Sequence, residues 1–266
     1  MSTTSIPAPF DPTTRRVPPW GGFNLTALRI ELTRMVRNRR TVIFTLVLPA
    51  ALYLMIGTGT QYGSEPYGSG NVSAYILISM AAYGAALAST SGGAMVATER
   101  ALGWSRQLRL TPLSPLAHVA TKACVALALG LGSVLAVNAV GIANGKAEMP
   151  LHVWIGAGLV AWLGSVVFGA FGLFMGYVLP GENVMQVLGP LMAGLAAIGG
   201  LWFPIDADSV MGHISTVTPM YGLAELARWP LHGGAPHLAW MLNLTVWLAV
   251  FVGGAAWRMS KDTARV

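Results

Sequence analysis

An all-α integral membrane fold with six spans is the class this sequence predicts, and three observations predict it. Of the 266 residues, 54% are hydrophobic and only 10% charged, with mean hydropathy +0.60, whereas a soluble domain carries about 25% charged residues. The apolar residues fall in runs near the ~20 residues that cross a bilayer as a helix. The basic residues gather at the ends of those runs, as orientation by positive charge requires, and are not spread along a face for nucleic acid. The 32 glycines, among them Gly172 and Gly176 spaced as a GxxxG pair in the fourth apolar run, suit close helix contacts in lipid. Cys124 is the single cysteine, so one chain can make neither a disulfide framework nor a thiolate metal site.

Taken in order, residues 1–22 are proline-rich, lack an apolar period and read as a disordered cytoplasmic tail. They are not a signal peptide, because the first apolar run starts only after residue 40. In Phe23 to Arg40, Leu25, Leu28, Leu32 and Met35 recur at helical spacing beside Arg29, Arg34, Arg37, Arg39 and Arg40. That pattern predicts a basic amphipathic helix lying in the membrane interface, near anionic headgroups. Six spans follow: Thr41–Gly59 with Pro49 inside it, Val72–Thr98, Leu116–Ala143, His152–Leu179, Val184–Phe203 with a kink expected at Pro190, and His237–Trp257. Residues 23–258 form one transmembrane domain, and 259–266 a short cytoplasmic tail. The 204–236 connection holds the apolar stretch Met220–Trp229, interrupted by Glu225 and Arg228. It is too short and too polar to span, and reads as a re-entrant or interfacial piece or as an ordinary outer loop with a short helix.

Charge sets the orientation. With the N-terminus inside, fourteen of the sixteen lysines and arginines fall on the cytoplasmic side, and only Lys146 and Arg228 fall outside. Both termini are therefore expected in the cytoplasm, and so is the connection Glu99–Ser114, ERALGWSRQLRLTPLS. Within it Ala101, Trp104 and Leu108 share one helical face, Arg106 and Arg109 point elsewhere, and Pro112 ends the helix. By itself this segment reads either as a solvated loop with orienting charge or as a docking helix.

Several chemistries are missing. All ten acids lie in tails, loops or span ends, so no ionisable group is expected deep in a span and proton coupling is disfavoured. The five histidines do not converge with carboxylates at metal-ligand spacing on one helix. The run Gly141 to Lys146, GIANGK, has the wrong spacing for a phosphate loop and Ala147 where a hydroxyl should follow. If the chain transports, its energy comes from another chain.

Together these residues resemble the ABC-2 type permeases, the membrane subunits of one class of ATP-binding cassette exporter. Glu99–Arg100, Gly103, the stretch Trp104 to Leu110 and the terminator Thr111-Pro112-Leu113-Ser114 carry the resemblance, with Lys122 early in span three. Arg34 to Arg40 resembles the family's N-terminal connecting helix, and Trp202-Phe203-Pro204 the end of its span five. Thr218-Pro219-Met220-Tyr221 resembles the turn before span six, with Thr in place of the usual Asn. The resemblance covers residues 23–258. It implies that Glu99 to Leu110 is a coupling helix, in which Glu99, Arg100, Gly103, Trp104, Arg106, Leu108 and Arg109 meet a nucleotide-binding subunit that holds ATP and Mg. It further implies a second permease copy, a small hydrophobic or amphipathic substrate, and a place in the bacterial inner membrane. The competing reading is a six-span membrane scaffold or enzyme without ATPase coupling. Against it stands the lack of a convergent catalytic set.

Overall fold

The structure, a computed structural model, describes residues 19–59, 61–103, 114–181, 183–206 and 208–263. Among them five helices are long and apolar enough to cross a membrane. A short helix, α1 (Leu25–Arg37), precedes them, capped by the Asn24 side chain on the Thr26 N–H. Asn38 ends α1 in an extended conformation. Its side chain then accepts from Arg40 and Thr41, so one residue closes α1 and opens α2 (Arg39–Gly57). The α1 stripe of Leu28, Leu32 and Met35 packs on Ala88, Met95, Val125 and Leu129 of the bundle. Its apolar face is thus covered by protein, while Leu25, at the start of the expected stripe, is exposed.

Helix α2 contains two π-type stretches, Ile43–Val47 and Tyr53–Gly57, on either side of Pro49. Proline has no N–H to give to the carbonyl four residues back. Here that carbonyl, of Thr45, accepts instead from Ser133 Oγ at 2.6 Å. A two-residue antiparallel ladder, β1 (Pro66–Tyr67) with β2 (Gly70–Asn71), follows, a small departure from the all-α expectation. Asn71 then caps α3 (Val72–Ala101).

The core is built around α3, buried along most of its length. Its small residues admit α4 (Pro115–Asn144) on one side and α6 (Val166–Val178) on another. A Cβ on Gly172 would overlap the Thr90 carbonyl oxygen, and one on Gly93 would overlap that of Gly169. The Gly172/Gly176 pair therefore serves packing within this chain. α4 starts at Ser114 and Pro115 and stops at Gly145, so GIANGK is a helix end with its C-cap.

The fourth expected span is one helical stretch, Leu151–Val178, with a local break at Ser165. α5 (Leu151–Gly164) and α6 meet at Ser165, whose Oγ bonds Ser89 Oγ (2.9 Å) and the Trp162 carbonyl (2.6 Å). The fifth is shorter than expected. α7 (Val184–Ile198) has 15 residues, about 22 Å of helix, because Gly199 and Gly200 turn the chain away. The 204–236 connection holds an exposed helix, α8 (Val210–Val217), and α9 (Pro219–His232). α9 is no loop helix on the surface: Met220, Leu223, Ala224, Ala227 and Leu231 are fully buried against α5, α3 and the last helix, α10 (Leu238–Thr263). α10 runs past Trp257, so its final turns occupy residues read from sequence as tail. α1, the start of α2 and the end of α10 all lie at the Glu99 end of α3, while β1, β2, α8 and α9 lie at the Asn71 end.

Candidate functional site

The expected coupling helix does not begin at Glu99. Glu99 and Arg100 are the last turn of α3, which ends at Ala101. Gly103 comes two residues later with φ +69, a left-handed conformation that a residue with a Cβ adopts at a cost, and its N–H bonds the Arg100 carbonyl. Gly103 thus closes the end of α3. Trp104, Arg106, Leu108 and Arg109 lie outside the described residues.

Successive helix residues point about 100° apart, so Glu99 and Arg100 address different neighbours. Arg100 donates to the carbonyls of Gly176 (3.1 Å) and Tyr177 (3.2 Å), the last turn of α6, and stacks over the Tyr177 ring. A cation there satisfies carbonyls that the helix leaves open and lies at the negative end of its dipole. Glu99 turns the other way, to α4 and α1. Its Oε1 takes a short bond from Lys122 Nζ, with Arg34 3.9 Å away. Lys122 also meets Glu31 Oε2 at 3.3 Å, and Arg34 lies 4.0 Å from Glu31 Oε1. Glu99 and Lys122 side chains are each 3% exposed, so this is a buried pair with a half-exposed rim.

The charges balance: two carboxylates, one ammonium, one guanidinium. Balance is what allows them to be buried at all, since an unpaired ion loses its hydration without return. The second oxygen, Oε2 of Glu99, has His118 Nε2 3.5 Å away but no hydrogen-bond partner among the described residues. The arrangement does one thing chemically: it ties three helices, α1, α3 and α4, at the last turn of α3. Among the described residues no group of His, Cys, Asp and Glu is placed to hold a metal ion.

The remaining expected site residues stand apart from this junction. Arg37, in the last turn of α1, and Arg39 and Arg40, in the first turn of α2, are exposed. Cations at a helix start oppose its dipole, so Arg39 and Arg40 add nothing to the stability of α2. The sequence brought Arg34 and Glu99 forward for separate reasons, and the structure joins them. It also places charge inside the bundle where none was expected: Lys122 in the second turn of α4, and Arg228 of α9, 2% exposed. Glu31 and His118 were missed as partners. Their only signal is spacing: Glu31 follows Leu28 by three, and His118 precedes Lys122 by four, on faces that turn inward.

Among the described residues, the site is thus a charged junction at one end of a bundle of apolar helices. Residues 60–257 match the family described as ABC-2 family transporter protein, and the chain belongs to that family. The family implies an ATP-binding partner subunit. The chain is also 26% identical over 226 residues, 84% of its own length and 91% of the other's, to the "Putative transport permease YvfS" of Bacillus subtilis (strain 168).

Proposed function

We propose that this chain is the permease subunit of an exporter that moves a hydrophobic or amphipathic molecule, drug-like, antibiotic or lipid-like, outward across the bacterial cytoplasmic membrane. ATP and Mg act on a separate nucleotide-binding subunit. The chain is itself not an enzyme, and two copies form the permease as a homodimer. The observation that carries this reading is the junction of Glu31, Arg34, Glu99, His118 and Lys122. It links the amphipathic α1 and the last turn of α3 at the base of the 99–110 segment, so a push on that segment reaches three helices. Arg100 extends the link to α6. The exposed arginines 37, 39 and 40 suit the interface between headgroups and cytosol. Six crossings, with α7 as the fifth, keep both ends of the chain on the Glu99 side.

The test is co-purification with an ATP-binding cassette subunit. The complex is expected to hydrolyse ATP and the purified chain alone to hydrolyse none, since its sequence has no phosphate loop. Robust hydrolysis that survives removal of every other chain would sink the proposal. Orientation is tested separately, in a Cys124→Ala background. A cysteine at Ser64 or Gly234 is expected to react with an impermeant thiol reagent added to intact cells, and one at Ser260 is not. Labelling at Ser260 would overturn the orientation with both ends inside.

A further inference from the structure

At the end of the bundle far from Glu99, a second buried charge joins three elements. Arg228 of α9 donates from Nε to Ser79 Oγ of α3 (2.9 Å), from Nη2 to the Gly200 carbonyl just past α7 (2.6 Å), and from Nη1 to Glu225 Oε1 (3.2 Å). Its guanidinium lies 4.2 Å from the centre of the Tyr75 ring. The partners at Ser79 and Gly200 are 149 and 28 residues away in sequence, so these bonds exist only when α3, α7 and α9 are in register.

α7 needs such a tie. Apart from Val184, Leu188, Met192 and Ala196 it presents exposed or half-exposed residues, and it touches the rest of the bundle lightly. At its end Gly200, with φ +72, turns the chain, and Leu201 N–H closes the helix on the Ala196 carbonyl. Beside that turn lies a cavity of about 160 Å³. Gly199, Pro204 and Ile205 line it on the α7 side, and Tyr67, Tyr221 and His232 line it opposite. Burial lowers the His232 pKa below its ordinary value, and the ring faces the Tyr67 hydroxyl at 3.2 Å. A cavity of this size holds about one benzene ring. The seam between α7 and α9 is therefore not filled, and exposed Tyr67, Pro204 and His232 lie at its rim.

The geometry points to Arg228 as the latch of this mouth: it pins the end of α7 to α3 and α9, and its release lets α7 swing away and widens the cleft down to buried Ser215. Two arrangements are available to the guanidinium. In one, all three nitrogens are satisfied by protein. In the other, α7 has moved and water entering the cavity replaces the Gly200 carbonyl. A half-released state leaves a buried cation short of acceptors, which makes the change all-or-none. That the mouth opens outward rests on the export reading above; the pinning does not.

Ser215 is a suitable reporter. It lines the cavity, is 2% exposed, and its Oγ has no hydrogen-bond partner among the described residues, so Ser215→Cys forfeits no bond. In the Cys124→Ala background, with the full chain in native membranes, its reaction with a membrane-permeant maleimide is expected to be slow. Arg228→Lys, which keeps the charge but cannot reach three acceptors, is expected to speed it at least tenfold. Ser79→Ala, a deletion too small to unfold the bundle, is expected to speed it severalfold. Ala161→Cys, buried in α5 away from the seam, is the control and stays unreactive in both variants. Unchanged labelling of Ser215→Cys in both folded variants would overturn the latch, as would equal acceleration at Ala161→Cys, which would mark Arg228 as general scaffolding. An impermeant maleimide added from each side then tests direction alone. Acceleration only from the cytoplasmic side leaves the latch standing and overturns the export orientation.

Discussion

Lys122→Met is expected to destabilise the chain by about 3–5 kcal/mol, the usual cost of removing one partner from a buried ion pair. The ammonium lies between Glu99 and Glu31 and is 3% exposed. Without it two carboxylates face each other with only the half-exposed Arg34 between them. The loss is measured as thermal unfolding in detergent, followed by exposure of α1 to limited proteolysis. Lys122→Met with Glu99→Gln removes both charges of the short pair and is expected to recover much of the loss, because Glu31 and Arg34 still balance and a buried amide costs less than an unpaired buried charge. If the single variant melts like the wild type, water reaches the junction and the helices are not tied by it.

The other large effect concerns the segment that leaves this junction. Trp104→Ala with Arg106→Glu is expected to lower affinity for the ATP-binding subunit about 100-fold or more. Truncating a tryptophan anchor at an interface typically costs about 2–4 kcal/mol, and each ~1.4 kcal/mol is a decade. The reversed charge adds slower association and a changed salt dependence. Both residues fall in sequence between the apolar runs of spans two and three, so insertion and expression are expected to persist. Pull-down and transport at wild-type levels would mean the segment is only a solvated connection.

What sequence conveys here is local, and what it hides is pairing. Asn24, Asn71, Ser114 with Pro115, and Gly145 mark helix ends through chemistry that acts over three or four residues, and the apolar runs between them are read from length alone. Ser165 leaves no such mark, because hydropathy stays high through the break and the cause, Ser89, is on another helix. Arg228 was placed outside with the loops on polarity, yet its acceptors are supplied by α3 and the end of α7. Glu31 looked like one acid in a basic helix until Lys122 came to face it. The Gly172/Gly176 pair announced a close contact but could not name Thr90 and Ala94 as the other side. The end of α7 was misjudged because the residues after Ile198 remain apolar while Gly200 requires a turn.

The short reach of α7 also bears on the lipid around it. Its 15 residues cover about 22 Å against a hydrocarbon core of about 30 Å. Met185, Val187 and Leu191 on its outer side are exposed. With α7 as the fifth crossing, as proposed above, a bilayer meeting that side would have to thin locally or give way to protein, at fractions of a kcal/mol for each ångström of mismatch. Over about 8 Å the elastic penalty reaches a few kcal/mol. That penalty rewards any neighbour that replaces lipid along α7. It depends on acyl-chain length, so the same chain is held more loosely in a thin membrane than in a thick one.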